Sequence, residues 1–338
     1  MRGMADGARV KVYGLASLLT AALCACAGPA ADKPSQASVD RYVAEAKQLA
    51  GDDLKSLLPL CNPQPATRPS EEAVHAQLER AIAASAPEPG PAFDNLYFVG
   101  SSWVSAWVLK TSQGLILIDA LNNEDEASRL IDGGLAKLGL NPKDVKYVIV
   151  THGHGDHYGG ATHFAQRYGA RIVASDADWR MMQTGLEFTS KLWDPPPKRD
   201  IAVFDGDKLT LGDTTVTFYV TPGHTLGTLS PVFGVASGGR AHKVMLWGGT
   251  SFNFGRDIDR LERYAQATDR MRNVAAQQSV DALVSNHSSF DGAVSKLAAR
   301  RAPGAQESNP FVMGTPAVER ALRIMGDCAR AQHDRFLM

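Results

Sequence analysis

The chain reads as an α/β protein made of two similar halves packed through their sheets. The order of elements predicts this: a β-rich stretch, a helix, a strand and a helix are followed by a second β-rich stretch, a helix and a strand. From Phe93 onwards the apolar residues fall in short β-branched runs separated by turn residues, which is a strand rhythm. The bulk composition permits a large core, with 338 residues of which 44% are hydrophobic and 21% charged. That balance excludes a disordered tail, a collagen-like fibre and a small disulfide-stapled module. The 35 basic and 36 acidic residues leave a formal charge of −1, so the basic excess of a nucleic-acid binder is absent.

Taken in order, residues 1–27 form a leader. Arg2, Arg9 and Lys11 precede the apolar run Val12 to Cys26, and Ala25-Cys26-Ala27 matches a small-residue cleavage site. This is the pattern of a bacterial export signal, implying a periplasmic or secreted protein. The run is short for a bilayer span. Leu23-Cys24-Ala25-Cys26 also resembles a lipobox, so lipidation at Cys26, with membrane attachment, stands beside cleavage after Ala27. A buried N-terminal helix is the bland alternative. Cleavage leaves Cys61 and Cys328, which in an oxidising compartment suggest one disulfide between the N-terminal extension and the last helix. Two unpaired buried thiols are the other reading.

Residues 28–91 form a helical extension, with helices expected over Val39 to Leu58 and Glu71 to Ala84 and prolines at 87, 89 and 91 closing it. The main domain spans 92–300. Strands are expected at Leu96–Val99, Val104–Leu109 and Leu115–Asp119, a helix at Glu124 to Leu138, and a strand at Val145 to Thr151. Helices at His157 to Tyr168 and Asp176–Thr184 flank a strand at Arg171–Ala174. Leu186 to Asp200 is a loop containing Trp193, read evenly as a site cover or a solvent loop. Five strands follow between Ile201 and Trp247, then a helix at Ile258 to Ala276 and a strand at Ala282–Ser285. Residues 301–338 carry a terminal helix, Thr315 to Asp334. Trp103 and Trp107 read as core aromatics. No signal sets an oligomeric state.

The chemistry concentrates in Thr151-His152-Gly153-His154-Gly155-Asp156-His157. His152 and His154 are two apart, so in extended geometry they leave the same side of the backbone. Asp156 and His157 follow where the helix should begin. Imidazole and carboxylate are zinc ligands. His224 and His287 sit just past two later strand ends. The physical reading gives His152, His154 and His224 to one Zn2+ and Asp156, His157 and His287 to a second. His75, His163, His242 and His333 read as bystanders.

These residues resemble the metallo-β-lactamase superfamily over about Phe93 to Gly292. The resemblance implies an αββα sandwich with a metal site at one edge, here carrying a helical N-terminal extension and a C-terminal helix. It also implies that Asp119, in Leu117-Ile118-Asp119-Ala120, supports the ligand loop. Many members carry an aspartate bridging the two metals. Gly249 stands at that position, in Trp247-Gly248-Gly249-Thr250-Ser251. Its absence resembles the zinc β-lactamases, and the intact histidines resemble their third subclass. The implied function is an exported zinc hydrolase opening β-lactam rings by attack of a zinc-bound hydroxide that Asp156 orients. Thr250, Ser251 and Asn253 are the candidate contacts for a small-molecule substrate. Hydrolysis of another ester, lactone or thioester is the alternative, and a non-catalytic zinc-binding protein ranks last.

Overall fold

A computed structural model describes residues 33–302 and 308–338. The leader expected at 1–27, with Cys24 and Cys26, lies outside the described residues.

Among the described residues twelve strands form two sheets. The first runs in the order β1 (Gly90–Pro91), β2 (Leu96–Phe98), β3 (Trp107–Thr111), β4 (Gly114–Ile118), β5 (Val145–Ile149), β6 (Arg171–Ser175) and β7 (Ile201–Val203). The second contains β8 (Lys208–Leu211), β9 (Thr214–Thr217), β10 (Val232–Ser237), β11 (Arg240–Trp247) and β12 (Ala282–Ser285), in the spatial order β12-β11-β10-β9-β8. Both sheets are mixed. β4 through β7 pair in parallel, as do β11 and β12, while the hairpins are antiparallel.

Side-chain alternation explains the layering. Along β3 and β4, Trp107, Leu109, Ile116 and Ile118 point to one face and Val108, Leu115 and Leu117 to the other. The first face meets Val216, Phe233, Val244, Leu246 and Val284 of the second sheet in a shared core. The other packs under helices, through Ile131, Leu135, Phe164 and Trp179. The second sheet is likewise covered on its outer face, where Met245 and Trp247 meet Leu261, Tyr264, Leu322 and Met325 of two long helices, Ile258–Gln278 and Thr315–Leu337. The central strands of both sheets are thus covered on both faces, and the parallel strands are largely apolar for that reason, with Lys146 and Arg171 exposed near the starts of β5 and β6. This is the expected αββα sandwich.

The N-terminal helix is shorter than the periodicity suggests. It runs over Gln36–Ala50, started by a Ser35/Ser38 capping box and stopped at Gly51, whose φ is 51°. The remainder becomes a 3-10 turn, Lys55–Cys61, with Pro59 inside it. The helix packs along Thr315–Leu337, where Ser38 Oγ donates to Asp334. Cys61 is bonded to Cys328. A second helix, Glu71–Ala83, follows. The expected helix at 124–138 contains a π segment, Ala127–Asp132. Two short helices after β12, Ser288–Asp291 and Ala293–Arg301, were not expected.

Candidate metal centre

The carboxyl ends of β4, β5, β11 and β12 meet at one edge of the sandwich, the usual place for a site on parallel strands. Leu229 N donates to Thr151 O at 2.7 Å, and Ser105 N to Asn286 O at 2.9 Å, so the two sheets are tied together there. Asp119 follows β4 with φ 62°, a left-handed conformation that aspartate tolerates better than most residues. That turn aims its carboxylate at the loop after β5. It accepts from Thr151 N and Thr151 Oγ1, both at 2.8 Å, and from His157 Nδ1 at 2.8 Å.

The six expected ligands converge as two triads, His152 with His154 and His224, and Asp156 with His157 and His287. In the first, His152 Nε2 lies 3.1 Å from His154 Nδ1 and 3.1 Å from His224 Nε2, and the last two atoms are 3.2 Å apart. In the second, His157 Nε2 lies 3.3 Å from His287 Nε2 and 3.4 Å from Asp156 Oδ2. Zinc–nitrogen bonds of about 2.0–2.1 Å give a tetrahedral edge of about 3.3 Å, so the donors stand at metal-binding separation. Each imidazole is held by its other nitrogen: His152 Nδ1 by Gly248 O at 2.7 Å, His224 Nδ1 by Ser251 O at 2.7 Å, and His287 Nδ1 by Trp103 O at 3.2 Å. His154 Nε2 faces Glu187 Oε2 at 3.3 Å. Five fixed rings with converging lone pairs fit a divalent metal such as zinc.

The electrostatics agree. Burial, with the charge of neighbouring imidazoles, holds His152 and His224 well below the usual histidine range and His287 down to about 4, so these rings are neutral ligands. Burial also opposes charge on Asp156 and His157. Mutual attraction outweighs it, keeping Asp156 ionised well below the usual carboxylate range and, with Asp119, pushing His157 up to about 10.

Gly155 and Gly249 are required by close approach. A Cβ on Gly155 would stand 2.1 Å from the indole of Trp193, and one on Gly249 would stand 2.6 Å from His224 Cβ. Neither glycine has a positive φ, so each is required by packing and not by its backbone conformation.

A cleft of about 250 Å³ opens above the triads, with His154, Asp156, His224 and His287 on its floor. Ser251 and Asn253 line it. Thr250 does not: it is buried, its Oγ1 lies 3.3 Å from Ser285 Oγ, and it borders a separate small pocket. A strand end that aims residue 251 into the cleft turns residue 250 inward. Trp107 is core, as expected, but Trp103 lies against His287 with centroids 5.0 Å apart and walls the cleft. The loop at 186–200 covers the site, bringing Phe188 and Trp193 to it. Trp193 Nε1 donates to Asn122 Oδ1 at 2.8 Å.

Four residues escaped the sequence reading. Val74 and Leu78, four apart on helix Glu71–Ala83, roof the cleft; that spacing was their only signal. Asp178 staples two ligand loops, accepting from Gly153 N, Thr225 Oγ1 and Gly227 N at 2.9, 2.8 and 3.0 Å. Glu187, besides facing His154, accepts from Arg260 Nη1 at 2.8 Å. A lone acid in a helix or loop carries no motif. The four bystander histidines stay outside the triads: His75 meets Ser190, and His163, His242 and His333 meet Asp132, Asp281 and Asp334.

A family model of the metallo-β-lactamase superfamily matches residues 103–237. BJP-1, a subclass B3 metallo-β-lactamase of Bradyrhizobium japonicum, is 30% identical, with a TM-score of 0.60 over 70% of this chain and 90% of its own. The chain belongs to the metallo-β-lactamase superfamily. A Cronobacter sakazakii metallo-β-lactamase with a HARLDQ motif, in a mutant form, is another superfamily structure similar to it, at 26% identity and TM-score 0.63 over 76% of this chain and 97% of that one. A hydroxyacylglutathione hydrolase of Acidiphilium cryptum is 35% identical over 91 residues, which is 27% of this chain and 32% of that protein. The chain spans about a third of the length of such curated relatives.

Proposed function

We propose that the chain is an exported zinc-dependent β-lactamase of the subclass B3 kind, holding two zinc ions. The observation that carries this reading is position 249. The superfamily's hydrolases of the glyoxalase II kind bridge two metals with an aspartate there, and here even a Cβ would stand 2.6 Å from His224. The six remaining ligands form two separate triads, as expected for B3 enzymes, and structures of that subclass are among the chain's neighbours. The export pattern at residues 1–27 and the Cys61–Cys328 bond support an oxidising, periplasmic or secreted location.

His152, His154 and His224 would hold one ion, and Asp156, His157 and His287 the other. Zinc supplies Lewis acidity: it lowers the pKa of water and stabilises negative charge developing on a carbonyl oxygen. Asp156, ionised on the cleft floor, orients the attacking oxygen nucleophile through its carboxylate. Ser251 and Asn253 offer a hydroxyl and an amide to the substrate's carboxylate. Trp103, Phe188, Trp193 and Leu78 enclose the apolar part of the substrate and exclude bulk water from the amide.

The purified, zinc-loaded chain is expected to open a carbapenem or a cephalosporin, to lose this activity on chelation and to regain it with zinc. Absence of turnover across penicillins, cephalosporins and carbapenems would sink the proposal. The second reading, hydrolysis of a thioester or lactone, draws on the hydroxyacylglutathione hydrolase similarity.

A further inference from the structure

His157 is fixed by Asp119, and His152, His224 and His287 by backbone carbonyls, all within the ligand framework. His154 differs. Its Nε2 faces Glu187 Oε2 at 3.3 Å, and Glu187 comes from the loop at 186–200 that also walls the cleft. The other carboxylate oxygen accepts from Arg260 Nη1 at 2.8 Å. Arg260 Nε in turn donates to Gly223 O at 2.8 Å, one residue before His224. Arg260 stands in the first turn of helix Ile258–Gln278, with its guanidinium 4.2 Å from the ring centre of Phe254. The side chains of Arg260 and Glu187 are only 4% and 14% exposed. Enclosing such a pair costs desolvation that its attraction does not reliably repay. Here one end of the pair touches a ligand side chain and the other a ligand's backbone.

We propose that Glu187 is a positioning residue for the His152–His154–His224 metal site, so that the loop at 186–200 belongs to the metal framework as well as to the cleft wall. By accepting the Nε2 proton of His154, Glu187 fixes the tautomer whose Nδ1 lone pair faces His152 and His224. A carboxylate at that nitrogen also raises the basicity of the coordinating one. Arg260 holds the carboxylate in place and ties it to the loop bearing His224. Neither residue is bonded to Asp156, His157 or His287, so the effect is specific to one triad. The inference rests on the triads binding metal and is independent of the substrate.

The test is Glu187→Gln in the full chain, titrated with zinc and with cobalt(II) against a competing chelator. The variant is expected to keep two metals per chain, but with affinity at one site lower by about 10–100-fold. The cobalt ligand-field spectrum of that site should shift while the other site is unchanged. If the uncompensated Arg260 prevents folding, the double variant Glu187→Gln/Arg260→Gln removes both charges and is expected to show the same loss. Unchanged affinities at both sites together with an unchanged cobalt spectrum would overturn the proposal. A parent chain that binds both metals but opens no β-lactam would instead refute the substrate assignment and leave this inference standing.

Discussion

At position 249 the space for a side chain is already taken: a Cβ would stand 2.6 Å from Cβ and 2.9 Å from Cγ of His224. These are ring and backbone-proximal atoms of a residue whose Nδ1 is tied to Ser251 O, so they cannot swing aside as a flexible chain end would. Gly249→Ala should displace His224 from His152 and His154, weaken zinc at that site, and cost about 1–3 kcal/mol of stability as an overpacked core does. Chelator competition and denaturant unfolding of the metal-free protein measure the two effects. Unaltered zinc affinity would mean that the loop yields. At this scale the ligands themselves were legible, because metal binding demands particular residue types at strand ends, and His152 to His157 supply four in six positions. Glu187 and Asp178 were not. Their roles depend on which loop the fold folds back over the site, and no local spacing encodes that. Thr250 and Trp103 were misjudged for a related reason: the path of the chain beyond a strand, not local spacing, decides which side chain faces the cleft.

The N-terminal extension works as an element through its attachment to the far end of the chain. Helix Gln36–Ala50 packs on Thr315–Leu337, and Cys61 is bonded to Cys328 across 267 residues of sequence. Ten residues past Cys61 the chain enters helix Glu71–Ala83, whose Val74 and Leu78 roof the cleft. Closing so long a loop restricts the unfolded chain, so the double variant Cys61→Ser/Cys328→Ser should lose about 2–5 kcal/mol of stability. Denaturant unfolding measures it, and a loss near zero would show that helix packing alone holds the extension. Most elements could be read from periodicity, since strands covered on both faces are largely apolar and the long helices keep one apolar stripe. The misjudged parts have local causes. Gly51 cut short an apparently continuous helix, a π segment interrupted another, and Ser288–Asp291 is too short to show a period.

Two sheets whose central strands are covered on both faces bring the ends of four strands to one edge, and that convergence turns ligands scattered from residue 152 to residue 287 into two triads. The sandwich was foreseeable from the alternation of strands and helices together with the histidine motif, because the motif places the strand ends before any packing is known. Substrate choice lies in the cleft above, built from the extension, the loop at 186–200 and the strand end at 249–253, where sequence patterns are weakest. The most direct measurement is the ratio of kcat/KM values on one zinc-loaded preparation for a carbapenem or cephalosporin, a lactone, and a glutathione thioester. The account predicts that the β-lactam is the preferred substrate by a wide margin and that all turnover disappears with chelation. Preference for the thioester or lactone, with the β-lactam untouched, would contradict it.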